Sequence, residues 1–449
     1  MISGTWGTVV EWLQPRQWQG DPALPFRGVE TDSRQMQPGS LFVALAGETF
    51  DGHRFIPQAM QRGAVGVITA QPDQTSGDYP YVQVSDTLVA YQALARRWRQ
   101  QFRLPLVGIT GSAGKTSTKE MLAAALGRFG PVLKSQANHN NDIGVAHTLV
   151  HLGSQHQFAV VEMAMRGRGE IARLTEVAQP THALITNVGT AHIGRLGSRE
   201  AIAKAKCELL AGLSPEGVAI LNGEDPRLLQ TAATVWANQT LTYGLTQGEI
   251  RGEWDPEQQT VTVAGIPLPV PLPGRHQALN WMGVIATVQT LGLDLERLRD
   301  PIDLPAETAG RNRRFWCQGR LILDESYNAA PEAMVAALHL LANTPATRRL
   351  AVLGPMRELG DFADEVYAHL ASVLAQLALD QVVVLDPAQE MPHLPASVTF
   401  RDPESLIDYL GATSQPGDVL LFKAAHSIGL DRVVQSLADR LLTSPKDTP

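Results

Sequence analysis

Cysteine is scarce in this 449-residue sequence. Cys207 and Cys317 are its only two cysteines, and they stand far apart without the CxxC spacing of a metal or redox site. A disulfide framework and a cysteine-based metal site are therefore not expected, and reduced thiols in a cytosolic protein are the expected state.

Basic charge and long apolar runs are also lacking. The formal net charge is −8, so the electrostatic footprint of a nucleic-acid-binding protein is missing. No run of about 18 apolar residues occurs that could span a membrane. The N-terminal stretch MISGTWGTVVEWLQPRQW has no basic segment followed by an apolar one, so no signal peptide is expected. These absences predict a cytoplasmic protein without membrane insertion and without a nucleic-acid partner.

What is present describes a globular chain of several α/β units. Hydrophobic residues make up 44% of the sequence and charged residues 18%, and the length predicts two to four domains. The first unit, residues 1–103, has the short strand-like runs SLFVAL, AVGVIT and YVQV, and the amphipathic segment TLVAYQALARRWRQQF closes it. Leu104-Pro105 then breaks the pattern.

The second unit, residues 104–305, alternates buried-strand runs with amphipathic helices. Its strands are PLVGIT, FAVVEMAM, HALITNV and VAILN, and its helices include TSTKEMLAAALGRF and REAIAKAKCELLAGL. This alternation predicts a parallel sheet with helices on both faces. From residue 240 to 274 the pattern changes to the short proline-rich β runs LTYG, TVTVAG and LPVPL, and the helix ALNWMGVIATVQTLGL follows.

A third unit, residues 306–449, follows a break at Leu304-Pro305. The runs RLILDES, RRLAVLG, DQVVVLD and DVLLFKA are separated by helices such as MVAALHLLA and EVYAHLASVLAQLAL, which predicts a smaller doubly wound, Rossmann-like domain. The predicted fold class is therefore α/β in three domains, with a central phosphate-loop-type parallel sheet.

The stretch GITGSAGKTSTKEML follows the first strand of the second unit. A glycine-rich turn between a strand and a helix exposes backbone N–H groups to an anion. Lys115 would reach the β- and γ-phosphates of a nucleotide, and the Thr116 hydroxyl would bind Mg²⁺. The loop is a variant, because Ile109 stands where the usual pattern has its first glycine.

Three further residues are candidates for the same site. Glu162 ends the apolar strand FAVVE, where phosphate-loop enzymes place a carboxylate for the metal. His192 lies in a loop just after a strand, at the sheet edge where α/β proteins bind ligands. Lys206 lies on a helix with Lys204 and Glu208. Without other evidence, a second interpretation of each residue stays open: Glu162 could be an exposed residue at a strand end, and His192 and Lys206 could be solvated side chains without a function.

The combination of motifs resembles the Mur ligase family of ATP-dependent peptide-bond-forming enzymes. TGSAGKT, the strand glutamate, NVGTAHIGRLGSREAIAKAKCE and GRHQALN carry this resemblance. The segments TDSR, DGHRF, NNDIGVAHTL, DESYNAAPEAM and VLGPMRELGDFA are similar to those of the member that joins D-alanyl-D-alanine to UDP-N-acetylmuramoyl-tripeptide. The motifs extend from about residue 31 to residue 430 and cover nearly the whole chain.

The resemblance implies a mechanism and a set of ligands. A substrate carboxylate attacks the γ-phosphorus of ATP to give an acyl phosphate, and the amine of D-alanyl-D-alanine then displaces phosphate. Two Mg²⁺ ions and a lysine would screen the meeting anions. In this family a lysine of the AK-x-E segment carries a carbamate, and that position is Lys206. The implied partners are these small-molecule substrates, and a monomer is expected.

The family motifs also imply roles for individual positions. The catalytic residues would be Lys115, His192 and Lys206, and the metal ligands Thr116, Glu162, His192 and Lys206. The implied ATP-binding set is Gly111, Ser112, Ala113, Gly114, Lys115, Thr116, Ser117, Asn280 at the adenine, Arg311 over the phosphates, and Asp324, Glu325, Tyr327 and Asn328 on the ribose side. The implied substrate-binding set is Ser33, Arg34, Asp51, Gly52, His53, Asn140 and Asn141.

The sequence departs from the family pattern at several positions. These are Gln277 for Asn, Glu325 for Asp, Ala330 for Asn, Pro355 for Asp, and Ala424, Ala425 and His426 for Gly-Ser-Arg. Two other activities stay open as alternatives: the Mur ligase that adds the third amino acid, and a nucleotide-binding regulatory protein without ligation. The DNPR segment typical of the former is not found, and the retained Lys115, Glu162, His192 and Lys206 argue against the latter.

Overall fold

The computed structural model describes residues 1–47, 50–71, 79–304, 310–392, 394–395 and 397–443. The predicted boundary between residues 305 and 306, and Pro305 of the predicted break, lie outside the described residues. Within the described ranges, no helix has the length and apolar character needed to cross a bilayer.

The N-terminal part is a small α/β layer structure. Strands β4 to β7 run parallel to one another, β2 joins antiparallel at the β7 edge, and β1 pairs separately with β3. Its elements are β1 (Ser3–Thr5), α1 (Trp6–Leu13), β2 (Gln17–Gln19), β3 (Pro25–Arg27), β4 (Val29–Glu30), β5 (Leu41–Val43), a 3₁₀ helix (Gly52–Phe55), α2 (Ile56–Gln61), β6 (Gly66–Thr69), β7 (Tyr81–Gln83) and α3 (Thr87–Arg99).

The central part is built on a parallel sheet of seven strands in the order β14-β13-β12-β11-β8-β10-β9. Its strands are β8 (Leu106–Thr110), β9 (Val132–Lys134), β10 (Phe158–Glu162), β11 (His182–Ile185), β12 (Val218–Asn222), β13 (Thr240–Gly244) and β14 (Ile250–Arg251). A separate antiparallel sheet contains β15 (Glu253–Asp255), β16 (Thr260–Val263) and β17 (Ile266–Pro269). The helices are α4 (Lys115–Gly127), α5 (Asp142–Val150), α6 (Glu170–Ala178), α7 (Ile193–Leu196), α8 (Arg199–Ala211), α9 (Pro226–Ala232) and α10 (Arg275–Thr290), followed by a 3₁₀ helix (Leu295–Leu298).

Helices cover both faces of this central sheet, as the sequence predicted. Side chains of a strand alternate between the faces, so Leu106 packs with α5, α6 and α8, whereas Val107 packs with α4 and α10. Buried apolar runs are typical of strands covered on both sides, which is why these strands were recognisable.

The C-terminal part has a sheet in the order β18-β19-β23-β20-β21-β22, parallel except for the antiparallel edge pair β18 and β19. Its elements are β18 (Arg313–Cys317), β19 (Arg320–Asp324), α11 (Pro331–Asn343), β20 (Arg349–Leu353), a 3₁₀ helix (Gly360–Phe362), α12 (Ala363–Gln376), β21 (Gln381–Leu385), β22 (Ser397–Phe400), α13 (Pro403–Thr413), β23 (Val419–Lys423), a 3₁₀ helix (His426–Ile428) and α14 (Leu430–Thr443). The predicted α/β fold class is thus confirmed.

The structure refines the interpretation of residues 240–274. The sequence grouped LTYG with the two proline-rich runs that follow, but Thr240–Gly244 extends the central parallel sheet beside β12. The two later runs form the antiparallel sheet together with β15, and the last of them begins earlier than expected, at Ile266.

Candidate active site

The phosphate-loop candidate lies between β8 and α4, at the carboxyl edge of the central sheet. Gly114 precedes the helix with a φ of +80°, a left-handed conformation that suits glycine, and a Cβ there would stand 2.6 Å from Asn280 Oδ1. A Cβ at Gly111 would stand 1.8 Å from Thr186 Oγ1. Both glycines therefore allow the backbone to pass close to its neighbours.

Residues that follow the neighbouring strand β11 hold the loop in place. Asn187 accepts a hydrogen bond from Ala113 N at 2.9 Å and donates to Ala113 O at 3.0 Å. Ser112 Oγ accepts from Gly189 N at 2.8 Å. The Lys115 ammonium donates to Gly111 O at 2.6 Å, and burial lowers the pKa of Lys115 below its ordinary value.

An acidic centre adjoins the loop. Glu162, at the end of β10, is 1% exposed and accepts hydrogen bonds through Oε1 from Thr116 Oγ1 at 3.2 Å and from Asn140 Nδ2 at 2.7 Å. Its other oxygen, Oε2, is buried without a hydrogen-bond partner among the described residues, and the Lys119 ammonium lies 3.9 Å away. A buried carboxylate oxygen without a donor is a position where a cation would be stabilised.

Lys206 lies on the buried side of α8 and is 2% exposed. Burial, and then the positive charge of Lys115, hold the pKa of Lys206 well below its ordinary value. The solvated alternative for Lys206 is therefore wrong, whereas its neighbour Lys204 is exposed. A lowered pKa favours the uncharged, nucleophilic form of an amine, and a buried amine is costly to keep unless it has a function.

His192 stands in the loop before α7 with a φ of +65°. Its Nδ1 contacts the carboxylate of Glu358, a residue of the C-terminal part. Burial lowers the pKa of His192, and the contact with Glu358 opposes that shift. His192 is thus partly buried and oriented by an acid, the usual arrangement of a metal-binding histidine.

The C-terminal part reaches the phosphate loop through Arg311. Its guanidinium donates to Thr116 Oγ1 and lies 3.8 Å from the centre of the Tyr327 ring, which stacks on His426 at 5.2 Å. Asn312 Nδ2 donates to Ser117 Oγ at 3.0 Å. Arg311 thus lies beside the phosphate loop, and its contact with bound phosphates stays a prediction.

Comparison with known proteins decides the family. The Mur ligase middle domain matches residues 109–288, the Mur ligase family catalytic domain matches 25–126, and the Mur ligase glutamate ligase domain matches 310–426. A UDP-N-acetylmuramoyl-tripeptide–D-alanyl-D-alanine ligase of Synechocystis sp. is 50% identical over 417 residues, 91% of each chain. The chain belongs to the Mur ligase family.

Other Mur ligases agree with this conclusion. A Bacillus subtilis ligase of the same name is 33% identical over 93% of this chain and 94% of its own. The structure of MurF from Acinetobacter baumannii superposes with a TM-score of 0.86 at 28% identity, covering 98% of this chain and 99% of that one. The MurF ligase of Thermotoga maritima in complex with ADP gives 0.81 at 29% identity, covering 93% and 99%.

The other residues to which the Mur ligase resemblance assigned an ATP-binding role take part in hydrogen bonds and ion pairs within the protein. Asn280 lies against Gly114, and its amide donates to Gln277 Oε1 at 3.1 Å while Gln277 donates to Asn312 at 2.9 Å. Asp324 is buried and accepts from Gly310 N at 3.2 Å, and Glu325 lies 3.6 Å from Lys423 Nζ. Lys423 also donates to the carbonyl of Asn328 at 3.1 Å. An adenine or ribose contact at these residues stays a prediction.

The proposed uridine-nucleotide segments follow neighbouring parallel strands of the N-terminal sheet. Ser33 Oγ donates to Gln58 Oε1 at 2.6 Å, while Arg34 forms an ion pair with Asp32. Asp51 caps the 3₁₀ helix through His53 N, and a Cβ at Gly52 would stand 2.5 Å from Leu45 O. His53 is buried and Nε2 accepts from Ala70 N at 3.1 Å, which gives it a structural role in this arrangement.

Asn140 and Asn141 form different hydrogen bonds in the structure. Asn140 contacts Glu162, as described above, whereas Asn141 caps α5 by accepting a hydrogen bond from Gly144 N at 2.9 Å. The expected contact of both with the nucleotide-sugar substrate stays a prediction.

Two residues of the site have no role in the sequence-based interpretation. Glu332 accepts hydrogen bonds from Thr190 N and Oγ1, and Glu358 contacts His192. Both belong to quoted motifs, Glu332 to DESYNAAPEAM and Glu358 to VLGPMRELGDFA, without an assigned function. Neither contact is local in sequence, so no local pattern could have indicated it.

Proposed function

We propose that this chain joins D-alanyl-D-alanine to UDP-N-acetylmuramoyl-tripeptide with ATP, through an acyl phosphate, and releases ADP and phosphate in peptidoglycan precursor synthesis. The 50% identity to the Synechocystis ligase over 91% of both chains carries the proposal. The phosphate loop beside Glu162, with Arg311 reaching over it, supports the ATP-dependent part.

The residues at this site fit Mg²⁺ and a carbamate. Glu162 Oε2 is buried without a hydrogen-bond partner among the described residues, and the Thr116 hydroxyl bonds the other oxygen, so the pair suits one cation. His192 would hold a second. Lys206, buried and near Lys115, suits carbamylation: the amine, once deprotonated, adds to CO₂, an N–C bond forms as one C=O π bond opens, and a proton leaves to solvent.

In this mechanism the protein mainly positions charge. Mg²⁺, when bound, supplies the positive charge that lets the tripeptide carboxylate approach the γ-phosphate. The N–H groups of the loop and Lys115 would bind the phosphates, and Arg311 would neutralise the charge that develops during transfer. The amine of the dipeptide must then lose a proton after it attacks the acyl carbon.

The remaining parts of the proposal concern organisation. We propose domains at 1–103, 104–305 and 306–449 that bind the uridine nucleotide, bind ATP and bind the dipeptide. The end of α3 at Arg99 and the start of β8 at Leu106 support the first boundary. A monomer in the cytoplasm is the proposed state.

The test is a phosphate-release assay with purified full-length protein. We expect release with ATP and Mg²⁺ only when UDP-N-acetylmuramoyl-tripeptide and D-alanyl-D-alanine are both present. Release with UDP-N-acetylmuramoyl-dipeptide and a free amino acid instead would favour the ligase that adds the third residue. ATP binding without release under any of these conditions would favour a regulatory protein.

A further inference from the structure

The loop that carries His192 is held by two glutamates from the C-terminal part. This loop, here taken as residues 189–195, follows β11 in the central part and includes the first residues of α7. Glu332 contacts its beginning and Glu358 its end. Both acids approach from elements more than 130 residues further along the chain, with sequence separations of 142 and 166.

Glu332 fixes the beginning of the loop. Its Oε1 accepts from Thr190 N at 2.7 Å and from Thr190 Oγ1 at 2.9 Å. The carboxyl group packs so closely that a Cβ at Gly189 would stand 2.4 Å from Glu332 Cδ. The N–H of Gly189 in turn donates to Ser112 of the phosphate loop. Glu332 therefore holds Thr190, and the residue next to Thr190 contacts the phosphate loop directly.

Glu358 fixes the end of the loop. One carboxylate oxygen contacts His192 Nδ1, and the other accepts from Arg195 Nε at 2.9 Å. The backbone of Glu358 also contacts the loop, because Gly194 N donates to Glu358 O at 2.9 Å. The two segments pack closely here, since a Cβ at Gly194 would stand 2.6 Å from Gly360 N. A histidine whose Nδ1 is held by a carboxylate keeps Nε2 available as a ligand.

We propose that Glu332 and Glu358 are positioning residues, which hold the 189–195 loop so that His192 Nε2 is oriented to bind a metal ion. Because both acids belong to the C-terminal part, the metal site is complete only when that part is docked on the central sheet. This inference rests on the proposed function, since it assigns His192 to a metal. It explains why a loop with a left-handed histidine is stable in this arrangement.

The proposal is tested with Mn²⁺ as the probe, on the full-length protein saturated with ADP. Free Mn²⁺ is measured by electron paramagnetic resonance. We expect Glu358→Ala to weaken Mn²⁺ binding about 10- to 100-fold, as loss of a partner that orients a ligand usually does. Glu358→Gln keeps an acceptor for the imidazole N–H, so it should restore most of that loss.

Hydrogen–deuterium exchange without metal gives the second measurement. Glu332→Ala should accelerate exchange at the amide of Thr190, because it removes the carboxylate that accepts from this N–H. The matched control is Glu365→Gln, which removes an exposed ion pair with Arg199 across the same two parts of the chain. It should change neither Mn²⁺ affinity nor exchange in the loop.

Unchanged Mn²⁺ affinity in Glu358→Ala, or the same loss in Glu358→Gln as in Glu358→Ala, would overturn the positioning role. So would exchange at the Thr190 amide that does not respond to Glu332→Ala. Normal ligation by the wild type alongside such results would leave the proposed function intact. A wild type that does not ligate, but in which Mn²⁺ affinity depends on Glu358, would contradict the function alone.

Discussion

At the scale of single residues, Lys206 has the most unusual surroundings of the site. Its amine is buried beside Lys115, and burial keeps its pKa well below the ordinary value. A carbamate would reverse the charge at this point and turn repulsion between two lysines into attraction. Without the carbamate, burial of the amine lowers the stability of the folded state.

We therefore expect Lys206→Met, which keeps most of the side-chain volume, to lower kcat about 100-fold or more while ADP affinity stays within about threefold. Its melting temperature should not fall, because a poorly solvated amine is removed. Protein incubated with ¹³C-labelled bicarbonate should show a bound carbamate signal by NMR in the wild type and none in this variant.

Lys204→Met on the same helix is the control, because Lys204 is exposed. It should keep both the signal and the activity. A fully active Lys206→Met enzyme would remove the carbamate from the mechanism.

The sequence could predict Lys115, Thr116 and Glu162 as a group because each belongs to a local pattern that requires its chemistry. In the structure, Thr116 and Glu162 are joined by a hydrogen bond. Glu332 and Glu358 could not be predicted in this way. Their partners lie 142 and 166 residues away, and folding alone brings them together.

At the scale of elements, helix α4 offers a comparison between its two ends. Gly114 precedes the first turn with a φ of +80°, and a Cβ at this position would clash with Asn280. Gly127 is the last residue of the helix, and a Cβ there would have no neighbour within 4 Å. We expect Gly114→Ala to weaken ADP binding at least tenfold, because the loop must shift to relieve the clash. Isothermal titration calorimetry measures this change.

Gly127→Ala is the matched control at the other end of the helix. Alanine has the better helix propensity, so this variant should bind ADP normally and be as stable as the wild type or slightly more so. Equal ADP affinity in the two variants would show that the close packing at Gly114 does not shape the nucleotide site.

Three histidine rings contact one another at helix α5: His147 in the helix lies 4.8 Å from His139, which precedes the helix, and 4.6 Å from His151, which follows it, measured between ring centres. Burial, followed by the charges of His151 and His139, lowers the pKa of His147 to about 4. The native state thus disfavours a proton that the unfolded chain takes up below about pH 6.5. Stability due to His147 is present above that pH and is lost as the pH falls towards 4.

His147→Phe should consequently flatten the fall in melting temperature between pH 6.5 and pH 4.5, by about 2 °C or more. Differential scanning fluorimetry over this range measures the change. His369→Phe on α12 is the control, since His369 is exposed. An acid transition that is equally steep in His147→Phe would exclude this histidine as a source of acid sensitivity.

Elements with a clear hydrophobic pattern could be predicted from the sequence. An element whose sheet is decided by a strand far away in the sequence could not. The apolar runs of β8, β10, β11 and β12 indicate strands that are covered on both faces. Thr240–Gly244 is only half buried and precedes prolines, so its sequence resembles the antiparallel strands after it. Its true partner, β12, lies about 20 residues earlier and is separated by helix α9.

At the scale of the whole molecule, the parts of the chain are less separate than their sequences suggest. Apolar residues of the N-terminal part, such as Ile2 and Leu94, belong to one continuous core with residues of α5, α6 and α8. The predicted boundary near residue 103 therefore separates two sheets but not two cores. By contrast, the C-terminal sheet has its own apolar clusters on its two faces.

Polar contacts accordingly carry much of the connection between the C-terminal and central parts at the site. Arg311 contacts Thr116, and Asn312 bridges Ser117 and Gln277. A nucleotide bound to the phosphate loop would lie against both parts and stabilise them together. Ligand at 100 times its dissociation constant stabilises the folded state by about 2.7 kcal/mol.

We expect ADP with Mg²⁺ to raise the melting temperature of the wild type and to make its calorimetric transition more cooperative, because two parts of the chain then unfold together. Arg311→Ala should lose more than half of this increase, since it removes both the contact with Thr116 and the stacking on Tyr327. Arg401→Ala is the control: Arg401 is exposed and donates to Gln389 within the C-terminal part. If Arg311→Ala kept the full ADP-dependent increase, nucleotide binding would depend on the central part alone.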